Sequence, residues 1–153
     1  MTMGWHTVIE FSPSLMGCVI ADDNVSFEMI RKSRECVINV ATADLVDEVV
    51  GIGNCSGGEV DKFERFRLTP VAGTRVAAPL IRECFANLEC RIADARLVKV
   101  YNFFILEVLQ AHVAIAPKYP RTLHYRGKGI FITSGPAVNK RQKFTKWKNT
   151  SNF

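Results

Sequence analysis

The chain has 153 residues, 48% of them hydrophobic and 23% charged, the profile of one globular domain long enough to bury most of its apolar surface. No apolar run approaches the roughly 20 residues of a membrane-spanning helix, and the first residues lack the basic segment and apolar core of a secretory leader. The five cysteines, Cys18, Cys36, Cys55, Cys84 and Cys90, show no CxxC spacing, so neither a disulfide framework nor a zinc site is expected; reduced thiols fit a cytoplasmic protein.

The net charge of +5 is unevenly spread. Glu107 is the last acid. Beyond it stand nine basic residues, Lys118, Arg121, Arg126, Lys128, Lys140, Arg141, Lys143, Lys146 and Lys148, whereas residues 1–107 carry 11 basic and 15 acidic ones. Residues 136–153 therefore form a basic tail after a domain spanning residues 1–135. Such a tail suits nucleic acid or an acidic partner, but a solvated end is the simpler expectation and nucleic acid is not favoured. Phe144 and Trp147 stand three apart in it, so docking onto the domain or a second subunit stays open.

The stretch Met1–Phe27 organises the rest. Thr2–Phe11 is rich in aromatic and β-branched residues and stops at Ser12-Pro13, which predicts a strand. Leu15–Ile20 is an apolar run of strand length, as in a strand buried on both faces. Asp22-Asp23-Asn24 breaks the chain, and Phe27 and Ile30 follow at helical spacing, with Asn24 or Ser26 as N-cap and Glu28 in the first turn. A strand feeding a helix start offers unpaired N–H groups at the positive end of the peptide dipoles, a seat for phosphate.

Cys36–Val40 predicts a short strand, and Leu45, Val49 and Ile52 mark a helix from Ala43, stopped by Gly51 and Gly53. Asn54–Gly58 is a loop, Asp61–Phe66 a helical turn, and Thr69–Pro79 irregular. Leu80–Asp94 and Leu97–Ala114 predict the longest strands, joined by a turn at Asp94–Arg96; Pro117–Pro120 is a break and Gly129–Thr133 a last strand. Several strands with two or three short helices predict a mainly β domain, a barrel in preference to a parallel βαβ sheet.

The usual equipment for acid–base or covalent catalysis is missing. The three histidines, His6, His112 and His124, have no metal-binding spacing; there is no GxSxG, and Gly51-Ile52-Gly53 lacks the third glycine of a dinucleotide fingerprint. An activity would therefore rest on a bound cofactor.

Several segments in order, Met1-Thr2-Met3-Gly4-Trp5-His6-Thr7, Ser12-Pro13-Ser14-Leu15, Asn24-Val25-Ser26-Phe27-Glu28, Cys36-Val37-Ile38-Asn39, Lys62-Phe63 and Pro117–Tyr125, together resemble the flavin reductase-like, FMN-binding split-barrel family, closest to flavoredoxins. The resemblance covers about residues 1–135. It implies a homodimer of split β-barrels, each with a few short flanking helices and one FMN near the interface. It also implies electron transfer from NADH, NADPH or a redox protein through the flavin. Members usually begin a strand and part of a helix earlier, so the resemblance implies either a displaced start or a barrel lacking an N-terminal edge strand and one wall of the flavin site.

Carried over by residue, Met3, Gly4, Trp5, His6 and Thr7 would form a strand along the isoalloxazine edge. Gly4 would let main chain approach the ring, and N–H groups there would favour the charge that develops on reduction. Asn24, Ser26 and Phe27 would hold the phosphate, with Asp22 and Asp23 turned outward, and Lys62 would add positive charge. His6, His124, Tyr125, Phe63, Lys118 and Arg121 are candidates near the ring or the site's mouth, each with a packing or surface role as the simpler reading. A non-catalytic electron carrier, or a barrel that has lost its flavin, stands as the alternative.

Overall fold

The computed structural model describes residues 1–143; Phe144, Trp147, Lys146 and Lys148 lie outside the described residues. The chain opens with a hairpin, β1 (His6–Phe11) and β2 (Ser14–Val19), turning at Ser12-Pro13. The strand predicted from Thr2 thus starts four residues later. Val19 N–H donates to the Trp5 carbonyl, but the next N–H along, that of Ile20, goes to the carbonyl of Asn102. Residues before Trp5 therefore have no ladder to join.

Helix α1 (Val25–Ser33) follows, with Phe27 and Ile30 on its buried face, and ends at Arg34 with φ of 61°. Next comes β3 (Glu35–Val40), as the sequence predicts. A 3-10 turn at Ala43–Leu45 runs into α2 (Val46–Gly53), so the helix passes through Gly51 and ends at Gly53, the second of the two glycines expected to stop it. A Cβ on Gly51 would lie 2.3 Å from Cε1 of Phe66, so this glycine is a notch for a ring, not a terminator. Asp61 caps α3 (Lys62–Arg65) by accepting from the N–H groups of Phe63 and Glu64.

The long strand expected over Leu80–Asp94 is broken in two. β4 (Pro70–Val71) and β5 (Leu80–Ile81) make a short ribbon, and β6 (Ala86–Asp94) starts afresh after a turn. Two non-local hydrogen bonds fix that turn: the Glu83 carboxylate accepts from Thr69 N–H, and Asn87 Oδ1 from Ile81 N–H. The expected strand Leu97–Ala114 likewise begins as a helix, α4 (Val98–Tyr101), whose Val98 is buried. Asn102, at φ of 54°, ends it and turns the chain into β7 (Phe103–Val113). The strand β8 (Leu123–Gly127), which the sequence reading did not include, pairs with β9 (Ile130–Thr133).

The main sheet has five antiparallel strands in the order β1-β2-β7-β6-β3. The β8–β9 hairpin hangs from the chain that leaves β3: Ala43 N–H donates to Arg121, Leu123 N–H to Ala41, and Thr42 bridges Thr122. Alternation along the strands sends Cys18, Cys90, Ile92, Phe104 and Leu106 to one face, where α1 covers them. The Phe27 ring meets Phe104 edge-on, with centroids 5.3 Å apart. The fold is mainly β, as expected.

Glu89 of β6 points to the opposite face and has no exposed surface. Its carboxylate accepts from the N–H groups of Thr74, Arg75 and Val76, from Thr74 Oγ1, and meets His112 Nε2 at 2.6 Å. Burial alone would raise this acid's pKa. The bonds from His112, Thr74 and Arg75 outweigh it and hold the group well below the usual carboxylate range. One charged side chain thus fixes the loop from Gly73 to Val76 onto the sheet. Because its folded pKa is depressed, its contribution is complete above the ordinary glutamate value of about 4.3 and fades as pH falls below it. Glu89→Gln, which turns an amide NH₂ toward buried donors, should destabilise the fold by about 2–4 kcal/mol at neutral pH. Urea unfolding at pH 7 and pH 4 checks both points: the wild type should weaken on acidification, and the variant should lose less.

Candidate functional site

Four of the residues singled out near the N-terminus come together. Gly4, Trp5, His6 and Thr7 line an open cleft of about 340 Å³ with Gly17, Val19 and Phe103. β1 is an edge strand, so one side of its backbone faces no neighbour. The rung from Val19 N–H to Trp5 carbonyl sets which side. Alternation in an antiparallel ladder then turns the N–H and C=O of His6 away from β2. Trp5 is 76% exposed. The cleft therefore offers bare main chain and flat apolar surface together, which is what a planar ring with polar edges requires.

The floor comes from β2 and β7, paired so that Val19 lies opposite Phe103. A Cβ on Gly17 would fall 2.3 Å from Cζ and 2.7 Å from Cε2 of Phe103. The ring thus lies against bare backbone. Sequence reasoning missed Gly17, Val19 and Phe103, although a glycine inside an apolar strand is itself a signal of close approach. Tyr125 of β8 stands 3.6 Å from where a Gly4 Cβ would be, an ordinary contact, so Gly4 is not needed for packing within the chain.

Met3 is displaced from this group. It packs against the hydrophobic core, outside β1, not along the cleft. Met1 lies near Lys62, and its amine is pushed below the ordinary value by burial and then by that charge; Thr2 lies against Gly53. The first seven residues thus run from the α2–α3 region to the cleft.

A second cluster forms at the start of α1. Val25 is close to Gly58, and Lys62 to Gly57. Asn24 occupies the N-cap position without a side-chain cap bond; its amide donates to the Ala21 carbonyl and to Asp23 Oδ1. Asp22 and Asp23 are exposed. Ser26 is half-buried, and the N–H groups of Val25 and Ser26 have no protein acceptor among the described residues. Phe27 is accounted for differently: its ring is in the core and its N–H donates to the Asn24 carbonyl at 2.9 Å. Lys62 Nζ donates to the carbonyls of Ile52, at 2.8 Å, and Cys55, tying down the end of α2, and makes no ion pair among the described residues.

Of the remaining candidates, His124 Nε2 bonds Thr122 Oγ1 at 2.9 Å, Tyr125 stacks on Phe131, and Lys118 lies over the Tyr119 ring. Phe63 is half-buried, and Arg121 is exposed. No group of His, Cys, Asp and Glu able to hold a metal ion occurs among the described residues. Nor is any described helix long and apolar enough to cross a membrane.

Gly17→Ala should displace the Phe103 ring and lower stability by about 1–3 kcal/mol. If that clash is the cause, the same change made in a Phe103→Ala background should add almost nothing. Thermal melts of the two single variants and the double variant test this.

Comparison with known proteins bears on the fold and the family. The flavoredoxin of Desulfovibrio vulgaris (Miyazaki F) superposes with a TM-score of 0.81 at 20% identity, over 95% of this chain and 82% of that one. An FMN-binding domain of a flavin reductases-like enzyme from Shewanella baltica OS155 gives 0.79 at 24% identity, over 90% and 79%. These establish the split-barrel fold. An uncharacterized protein of Archaeoglobus fulgidus is 35% identical over 109 residues, 71% of this chain and 62% of that protein. One from Pyrococcus abyssi is 30% identical over the same length, so the match spans about 62% of the length of each of these two relatives. The family described as "Flavin reductase like domain" matches residues 1–134, and the chain belongs to that family.

Proposed function

We propose that this chain binds FMN, with the ring in the cleft along Gly4–Thr7 and the phosphate at the start of α1, and that it is a flavin-dependent oxidoreductase. The observation that carries the reading is the cleft itself, where outward-facing main chain at His6 borders apolar surface from Gly17, Val19 and Phe103. Several features fit the group. The unpaired N–H groups of Val25 and Ser26 open a helix of nine residues, and Lys62 adds a cation with no carboxylate paired to it among the described residues. The domain on this reading is residues 1–135, followed by the basic tail.

FMN, when bound, supplies the electron-accepting ring. The chain's own part is placement and electrostatics. The His6 N–H, turned away from β2, would donate to a polar edge of the ring and stabilise negative charge there. Gly4 would keep a side chain out of the approach, Phe103 would back the cleft, and Asn24, Ser26 and Lys62 would hold the anionic end. No described side chain is required to move a proton.

A homodimer belongs to the same proposal. Trp5, Val8 and Phe11 are 76%, 66% and 85% exposed on or beside an unpaired edge strand. Isolated chains seldom leave such an edge bare. A reduced nicotinamide is the proposed donor. The exposed cations Lys118, Arg121, Arg126 and Lys128, with no acid after Glu107, favour a second reading in which an acidic redox protein is the donor.

Titration of the purified protein with FMN, followed by its visible spectrum, tests the reading. FMN should be retained at the protein, and NADH or NADPH should bleach it; bleaching only by a reduced protein donor would select the carrier. Protein that takes up no FMN sinks both. Asn24→Ala combined with Ser26→Ala should weaken FMN binding by about ten- to hundredfold, for about 1–3 kcal/mol of lost hydrogen bonding. The melting temperature should hardly move, because neither side chain bonds another element. Gel filtration should give twice the mass of one chain, and Val8→Glu with Phe11→Glu should halve it.

A further inference from the structure

Two of the five cysteines face each other inside the domain, on the core face of the sheet and away from the cleft. Cys36 of β3 stands directly opposite Cys90 of β6 in the antiparallel register, and Cys36 packs against the buried cluster that contains Cys90. Cys90 has no exposed surface and donates its S–H to the Leu88 carbonyl at 3.3 Å, while Cys36 is half-buried on the edge strand. Cys18, on β2, belongs to the same buried cluster, and burial pushes its thiol up to about 12.

We propose that Cys36 and Cys90 are a redox-modifiable pair that closes to a cross-strand disulfide, clamping the edge strand β3 to β6. The backbone geometry allows it. The rung from Ile92 N–H to Arg34 carbonyl places Cys36 and Cys90, two residues further along, at another hydrogen-bonded pair. Such pairs hold their Cα atoms about 5.5 Å apart, within the range disulfides span. Their Cβ atoms, at roughly 4.5–5.5 Å, must draw in slightly, so the bond is strained and reducible, not permanent. The neighbouring Cys90 thiol, then burial, pushes the Cys36 thiol up and keeps it protonated at rest, so the pair reacts slowly.

A low-molecular-weight disulfide is the oxidant. Cys36, the sulfur nearer the surface, loses its proton and attacks one sulfur of that disulfide, releasing one thiol and forming a mixed disulfide. Cys90 then loses its proton and attacks Cys36 Sγ, releasing the second thiol. Two protein thiols are oxidised by two electrons, and the reagent's S–S bond is reduced to two thiols.

The consequence lies at the edge of the fold. β3 has only β6 beside it, and the chain leaving it holds the β8–β9 hairpin whose Tyr125 stands against Gly4. The clamp therefore fixes one side of the cleft, independently of whether a flavin binds there.

The test incubates the folded, full-length protein with oxidised glutathione for hours and then maps its peptides. The expected product has lost two of its five free thiols and the mass of two hydrogen atoms, carries no glutathione, and yields a linked peptide joining Cys36 to Cys90. Dithiothreitol should reverse it, and the melting temperature of the oxidised form should rise by roughly 5–10 °C. Cys18→Ala should leave the linkage intact, and Cys36→Ala should abolish it. An unchanged thiol count in the folded wild type, a glutathione adduct that persists, or a linkage through Cys18, Cys55 or Cys84 would overturn the proposal. The map of the wild type decides even if a variant does not fold.

Discussion

Strand β2 has to satisfy two surfaces at once, and the period of two along a strand is what lets it. Cys18 and Ile20 point into the core with 1% and 3% of their surface exposed, while Gly17 and Val19 line the cleft. A slip of one residue against β7 would exchange the two sets, putting a glycine in the core and a thiol in the cleft. The pairing of Cys18 with Phe104 and of Val19 with Phe103 thus sets the core contact with α1 and the floor of the candidate site in one step. β6 repeats the division: Cys90 enters the core, and Glu89 turns to the other face to hold the loop from Gly73 to Val76. The cleft is rigid on the sheet side because it is the back of a packed core.

Local features made the first part of the fold legible. An apolar run of strand length, a break at Asp22-Asp23-Asn24, and Phe27 and Ile30 three apart are all short-range signals, and they mark β2 and α1 well. The errors fall where distant groups decide. Glu83 and Asn87 take the N–H groups of Thr69 and Ile81, dividing an apolar segment that looks continuous. Asn102 in the left-handed region separates α4 from β7, and no periodicity foretells that a Val-rich segment will coil before it extends. Gly51 looks like a helix stop until Phe66, placed by a different helix, is seen in its notch. β8, whose His124, Tyr125 and Arg126 are exposed, carries too little alternation to declare itself.

The candidate site divides the same way. Gly4–Thr7 could be named together through family resemblance because those residues are contiguous, and they run into the start of β1 along one cleft. Phe103 could not, since only the β2–β7 register brings it to Gly17. At the α1 start the resemblance named Asn24, Ser26 and Phe27 together, and the helix separates them. Successive helical positions turn by about 100°, so a residue that buries its ring against Phe104 points away from whatever lies before the helix. Phe27 serves that corner by anchoring α1, leaving Ser26 and the first N–H groups outward.

The edge strand joins the two parts of the functional proposal. Its outward N–H and C=O groups and its exposed Trp5, Val8 and Phe11 are unfavourable in water for different reasons, one set wanting hydrogen-bond partners and the other cover. Water satisfies the first but not the second. A flat ligand with polar edges satisfies both at Gly4–Thr7, but it is too small to cover Val8 and Phe11 as well. In the proposed dimer a second copy of the chain would cover those. On this argument cofactor and partner subunit share one strand because a single bare edge is long enough for both, and losing either would leave the other's surface incompletely covered.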